Sequence, residues 1–194
     1  MKFNELIRIK HAGQYRNPVE GMEAVPYTEH LYGVASIVSS VLDITGEITD
    51  ESLRQDIFYA TLGHDLLEDT DATDEEIVSA SSTRALAFIK ELTNPADDSH
   101  TDGYMTQISS ATEAARIVKY ADLIENTMSV AYNLRILEKE WTGQYHLPIL
   151  NKTTQVLKDT EFNAYPKTAS FLRNILLVNS NMLLDRYKQV FRND

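Results

Sequence analysis

Residues 63–73, GHDLLEDTDAT, set His64, Asp65, Glu68, Asp69 and Asp71 directly after the apolar run 57–62. These are the side chains most expensive to bury, because an unpaired carboxylate taken out of water loses several kcal/mol, and a cation is the simplest offset. His64 with the adjacent Asp65 offers one nitrogen and one oxygen ligand, a donor set suited to a first-row divalent ion such as Mn²⁺, Fe²⁺ or Zn²⁺. Two ligands do not hold a catalytic ion, so others must come from the inward faces of other helices. His30 precedes Leu31 on the side of Val34, Ile37 and Val41. Asp122 stands one turn beyond Val118 and one turn before Asn126, inside the otherwise apolar stretch IVKYADLI. The set His30, His64, Asp65 and Asp122 draws on three helices and leaves positions open for water and substrate, which hydrolysis requires and structural metal binding does not.

The elements that must carry these residues are helices. Glycine and proline are sparse, at seven and five, and helical periodicity recurs along most of the chain, which predicts an all-α fold. Leu31, Val34, Ala35, Val38, Val41 and Leu42 step by three and four, and Gly46 marks a point where that helix has ended. The next helix is expected from Thr49 or Asp50, through Leu53, Ile57, Ala60 and Thr61 into His64. Continued unbroken, it stacks His64 under Glu68 and Asp65 under Asp69. Reciprocal N-terminal caps are expected at Thr73 with Glu76 and at Ser110 with Glu113, the second opening the helix that bears Asp122. Leu172, Ile175, Leu176, Leu183, Tyr187 and Val190 write a long final helix whose expected role is core support. Residues 14–26, 94–105 and 159–167 read as loops, the first long enough to suggest a function.

A chain of 194 residues suits one domain: a motif-bearing core over about 11–133 and supporting helices over about 146–192. The formal charge of 18 − 29 = −11 argues against nucleic acid or anionic membrane as a partner, since both reward a cationic face. There is no apolar signal core at the start and no stretch long enough to span a membrane. Cysteine is absent, which removes thiolate metal sites and fits the cytoplasm.

Taken together, His30, the pair His64-Asp65, and Asp122 resemble the H…HD…D signature of the HD-domain metal-dependent phosphohydrolases, a helical superfamily. Within it, HLYGVA (30–35), HDLLEDT (64–70) and VKYADLIENT (118–127) resemble the hydrolase domain of RelA/SpoT-type alarmone enzymes, including small stand-alone versions. The resemblance covers about two thirds of the chain and implies removal of the 3′-pyrophosphate from (p)ppGpp by a Mn²⁺-dependent hydrolase without a synthetase domain. It also implies that Glu68 and Asp69 are the acid/base and water-orienting carboxylates. Asn126 then corresponds to a substrate-contacting asparagine. HAGQYRNP (11–18) resembles the family's basic segment, with Arg16 able to stack on a purine, and Lys119 remains as a further cation.

The chain departs from that pattern in two places. Tyr15, Arg16 and Asn17 stand where relatives show two Arg and a Lys, and Glu125 stands where a His is common, adding negative charge near the expected nucleotide. These departures keep open an HD phosphohydrolase acting on another nucleotide or a phosphorylated dinucleotide cofactor, and a non-catalytic nucleotide-binding regulator. His11, His100 and His146 have no partner that the sequence reveals, and Tyr32, Tyr120 and Trp141 read as packing residues.

Overall fold

The computed structural model describes residues 1–16, 24–94, 102–134 and 139–191. Helix α1 (Phe3–Lys10) is followed by a two-residue antiparallel ribbon, β1 (Tyr15–Arg16) paired with β2 (Val25–Pro26). The ends of the expected 14–26 loop are thus tied together, while 17–23 and His100 lie outside the described residues. Helix α2 (Thr28–Thr45) begins three residues before Leu31 and so includes His30; it ends at Gly46, whose φ of 62° is the left-handed cap that glycine takes without strain.

Helix α3 (Glu51–Gly63) starts where expected, with the Asp50 side chain accepting from the amides of Ser52 and Leu53. It does not run on through the acids. His64 and Asp65 form a turn and a separate short helix, α4 (Leu66–Asp69), follows. Successive residues of an unbroken helix are splayed by about 100°. The turn instead lets His64 Nε2 and Asp65 Oδ2 converge to 3.1 Å. The Asp65/Asp69 stacking survives, because the Asp69 amide still donates to the Asp65 carbonyl at 2.8 Å.

The Thr73–Glu76 box caps α5 (Asp74–Ala80), and Ser82 caps α6 (Thr83–Leu92). Helix α7 (Asp102–Ser110) occupies the end of the segment expected to be loop. Helix α8 (Glu113–Asn133) is capped by Thr112 rather than Ser110. Glu113 is drawn elsewhere, accepting from the amides of Asn163, Ala164 and Tyr165. A π-helical segment (Trp141–His146) leads into α9 (Leu147–Asp159), and α10 (Pro166–Val190) closes the chain.

Helix α8 is buried on almost every face, through Ala115, Ile117, Val118, Tyr120, Ala121 and Ile124, so it is the central rod against which α2, α3, α6, α9 and α10 pack. Gly33 makes the α2–α8 contact possible: a Cβ there would sit 3.1 Å from Glu125 Cγ. Two carboxylates dock the segment leading into α10. Glu47 accepts from the amides of Lys167 and Thr168 at 2.9 and 2.6 Å, beside the three amides held by Glu113. These supply the acceptors that the α10 N-terminus lacks from its own capping residue.

Candidate active site

Four side chains from α2, the α3–α4 turn and α8 meet at one point. His30 Nε2 is 3.3 Å from His64 Nε2, 3.4 Å from Asp122 Oδ1 and 3.7 Å from Asp65 Oδ2. His64 Nε2 is 3.8 Å from Asp122 Oδ1. The other nitrogen of each ring is already committed. His30 Nδ1 lies 2.5 Å from Glu125 Oε2 and His64 Nδ1 lies 2.8 Å from the Thr61 carbonyl, acceptors that oblige both Nδ1 atoms to carry the proton. Each Nε2 is therefore the nitrogen left to face the other ring and the two carboxylate oxygens.

That arrangement demands positive charge. Burial alone would drive the histidines toward neutrality, yet Asp122 with Glu125 raises His30, and Asp65 with Asp122 raises His64 well above the usual histidine value. Burial would likewise raise the acids, but Lys119 and the two imidazoles hold Asp122 well below the usual carboxylate range, and His64 does the same for Asp65. A divalent ion answers the demand better than protons do. An ion about 2.1 Å from each donor spaces neighbouring donors by roughly 3.0 to 3.4 Å, for right-angled and tetrahedral arrangements. Five of the separations here fall between 3.1 and 3.8 Å. One donor atom from each of His30, His64 and Asp65 lies within 4.8 Å of the other two, close enough to share an ion. The donor set, two imidazoles and two carboxylates, fits a first-row divalent ion.

The ligands are themselves held. Tyr27 Oη donates to Asp65 Oδ2 at 2.7 Å, Asn126 Nδ2 to Asp122 Oδ1 at 2.5 Å, and Lys119 Nζ to Asp122 Oδ2 at 2.8 Å. Such partners fix ligand orientation and tautomer. Glu125 belongs to this group. Its carboxylate does not add bare charge to the nucleotide space; it accepts from His30 and from Arg16 Nη1, the latter at 2.6 Å. The signal was present in the sequence, since Glu125 follows Asp122 by three on one helix.

Glu68 and Asp69 stand on α4, one short turn beyond the ligands. Burial pushes both carboxyls up, and the negative charge of Asp65 adds to the effect. The Asn94 amide donates to Glu68 Oε2 at 3.0 Å and so fixes that side chain. Beside Asp69, Gln14 donates to its carbonyl at 2.8 Å and accepts at His11 Nδ1 at 2.6 Å, while the His11 ring stacks on Tyr27. His11 therefore does have partners, through the segment that leads into the ribbon.

Next to these four side chains lies a cavity of about 370 Å³, lined in part by Asp122 and by Arg16, Lys119 and Asn126, the two cations and the amide expected to meet substrate. Arg16 is not stacked on an open face. Its guanidinium is spread between Glu125 Oε2 and Asn126 Oδ1, each at 2.6 Å. Trp141, His146, Ile149 and Leu150 line the same cavity, so the C-terminal third contributes to the site as well as to the core. Trp141 and His146 face each other, with ring centroids 5.5 Å apart and planes 21° apart. Positions five apart diverge on an α-helix and become neighbours where the bonds run i to i+5, which is why an α-helical periodicity does not reveal the pair.

The sequence matches no family model. It is 31% identical over 156 residues to guanosine-3′,5′-bis(diphosphate) 3′-pyrophosphohydrolase MESH1 of Danio rerio, an alignment covering 77% of each chain. The chain belongs to the MESH1 family. The MESH1 of Drosophila melanogaster is 28% identical over 138 residues, covering 68% of this chain and 71% of that one. A solved structure described as a metazoan ortholog of SpoT that hydrolyzes ppGpp superimposes with a TM-score of 0.61 at 23% identity, over 89% of this chain and 92% of that one. The helical architecture is therefore that of the MESH1 fold.

Proposed function

We propose that the chain removes the 3′-pyrophosphate from guanosine alarmones, converting (p)ppGpp and water to GDP or GTP and pyrophosphate. The observation that carries this reading is the convergence of His30, His64, Asp65 and Asp122 on one point beside a cavity that holds Arg16, Lys119 and Asn126. His30, His64, Asp65 and Asp122 hold the ion, which we take to be Mn²⁺. When bound it supplies Lewis acidity toward water and toward the phosphoryl oxygens.

The chain's own residues do the rest. Glu68, whose carboxyl burial has made a stronger base than an ordinary glutamate, accepts a proton from the attacking water, and Asp69 orients that water. As the new oxygen–phosphorus bond forms and the bond to the ribose 3′ oxygen breaks, Glu68 returns the proton to that leaving oxygen. Lys119 and Arg16 face the phosphate charge, and Asn126 positions the substrate. The substrate is a small nucleotide and the setting the cytoplasm; among the described residues no helix is long and apolar enough to cross a membrane.

The test is incubation of the metal-stripped protein with ppGpp, with and without Mn²⁺, and chromatography of the products. Mn²⁺-dependent GDP and pyrophosphate are expected. Unchanged ppGpp from protein that binds Mn²⁺ refutes the reading, and orthophosphate release in place of pyrophosphate refutes the assigned bond.

A further inference from the structure

His30 and Asp122 are each held from behind by a neighbour on α8, and a single guanidinium holds both neighbours. Arg16 Nη1 donates to Glu125 Oε2 at 2.6 Å, the same oxygen that accepts from His30 Nδ1 at 2.5 Å. Two donors converging on one oxygen pin the carboxylate in place. Arg16 Nη2 donates to Asn126 Oδ1 at 2.6 Å, and the other end of that amide, Nδ2, donates to Asp122 Oδ1 at 2.5 Å. The amide fits only this way round, because a guanidinium accepts nothing and must face the oxygen, which leaves the NH₂ for the carboxylate. Only 16% of the Arg16 side chain and 20% of the Glu125 side chain are exposed, so salt and water weaken this pair less than one on the open surface.

The backbone that delivers the guanidinium is fastened to the same site. Arg16 pairs with Val25 in the ribbon, and the Tyr27 amide donates to the Gln14 carbonyl at 3.0 Å. From those two flanking residues, Tyr27 Oη reaches Asp65 and Gln14 Nε2 reaches the Asp69 carbonyl. Resting on the metal centre of the reading above, we infer that Arg16 is a positioning residue for that centre: through Glu125 it fixes the ring of His30, and through Asn126 it fixes the carboxylate of Asp122. This task is separate from facing phosphate. It needs a guanidinium, because a lysine ammonium brings the charge without two donors held at a fixed spacing.

The test is calorimetric titration with Mn²⁺, in the absence of nucleotide, of the metal-stripped wild type, Arg16→Lys, Glu125→Ala and the double variant. Asp65→Ala is titrated alongside to show that the ion sits at this centre. Lysine keeps the positive charge, so repulsion of the ion is unchanged and only the two-armed hold is lost. Arg16→Lys is expected to weaken Mn²⁺ binding about tenfold, within the range for losing a group that orients ligands. In the Glu125→Ala background the same change is expected to cost no more than about twofold, because the arm to His30 is already gone. A residue that met substrate alone would leave nucleotide-free Mn²⁺ affinity untouched, and one that merely supported the fold would weaken it equally in both backgrounds. Wild-type affinity in Arg16→Lys, or an equal drop in both backgrounds, overturns the inference. Mn²⁺ binding that is missing in the wild type, or that survives Asp65→Ala, refutes the metal centre and the inference together. Wild-type protein that binds Mn²⁺ and leaves ppGpp intact refutes the alarmone reading alone, and the titrations still decide the role of Arg16.

Discussion

Two imidazole Nε2 atoms 3.3 Å apart and facing two carboxylates are stable only with positive charge between them, whether from protons or from an ion. Asp65→Ala removes one of those oxygens and the anchor for Tyr27, and the expected result is loss of both Mn²⁺ binding by calorimetry and turnover. Glu68→Gln leaves the ligands untouched, so Mn²⁺ affinity is retained while kcat falls by about 10² or more, the usual contribution of a positioned general base. Retained activity in either variant contradicts the assigned roles. Glu125 yields a subtler outcome. Its carboxylate fixes the His30 tautomer, so Glu125→Ala should lower Mn²⁺ affinity by about 10- to 100-fold although residue 125 is no ligand. An unchanged affinity would mean that packing on α2 orients His30 unaided. At this scale the residues were legible in the sequence, because ligand chemistry restricts the types that can serve and carboxylates do not enter apolar stretches without cause. Partners such as Tyr27 and Glu125 were less so, since nothing in a residue's type says which neighbour it turns toward.

Elements were legible where one helix's own residues define them and obscure where a neighbour decides. Asp50 and the Thr73–Glu76 box cap their own helices and lie where spacing puts them. Glu113 fits the same pattern after Ser110, yet it caps the distant 163–165 amides, a choice made by tertiary packing. The break at His64 and Asp65 was hidden because periodicity on both sides is helical and only two residues leave it. Gly33 shows how close the elements must come for the site to exist. In Gly33→Ala the new methyl presses on Glu125 Cγ, the side chain that holds His30, and the expected outcome is weaker Mn²⁺ binding with little change in helical circular dichroism. Undiminished affinity would show that Glu125 can yield without moving its carboxylate. Glu47 acts at the start of α10. Burial would raise its carboxyl, but the Lys167 and Thr168 amides outweigh this and hold it below the ordinary value of 4.5. A folded pKa below the unfolded one stabilises the native state above the unfolded value and loses that stabilisation as pH falls through the folded value. Glu47→Ala should therefore cost about 1 kcal/mol at neutral pH, a drop in Tm of about 2–4 °C. The gap to wild type should narrow below pH 4.5, and an equal gap at pH 7 and in acid would rule out the charge as its source.

For the whole molecule, the proposed metal centre is a junction between parts far apart in sequence: His30 on α2, His64 and Asp65 between α3 and α4, and Asp122 on α8. In the unfolded chain these ligands are scattered, so an ion that binds only the native set stabilises it by mass action. At a free Mn²⁺ concentration 100 times Kd the increment is about 2.7 kcal/mol. For a chain of this length that corresponds to roughly 5–10 °C in Tm. The ion also offsets the negative charge gathered here, where Asp65 and Asp122 are held in the ionised form and His30 and His64 are drawn toward the protonated form. The expected experiment is a thermal melt of metal-stripped protein with rising Mn²⁺, in wild type and in Asp122→Asn. The wild-type Tm climbs with the logarithm of the ion concentration above Kd, and in Asp122→Asn the climb is lost or displaced to much higher concentration. An equal rise in both proteins would place the ion elsewhere on this acidic surface and detach the four-residue centre from metal binding altogether.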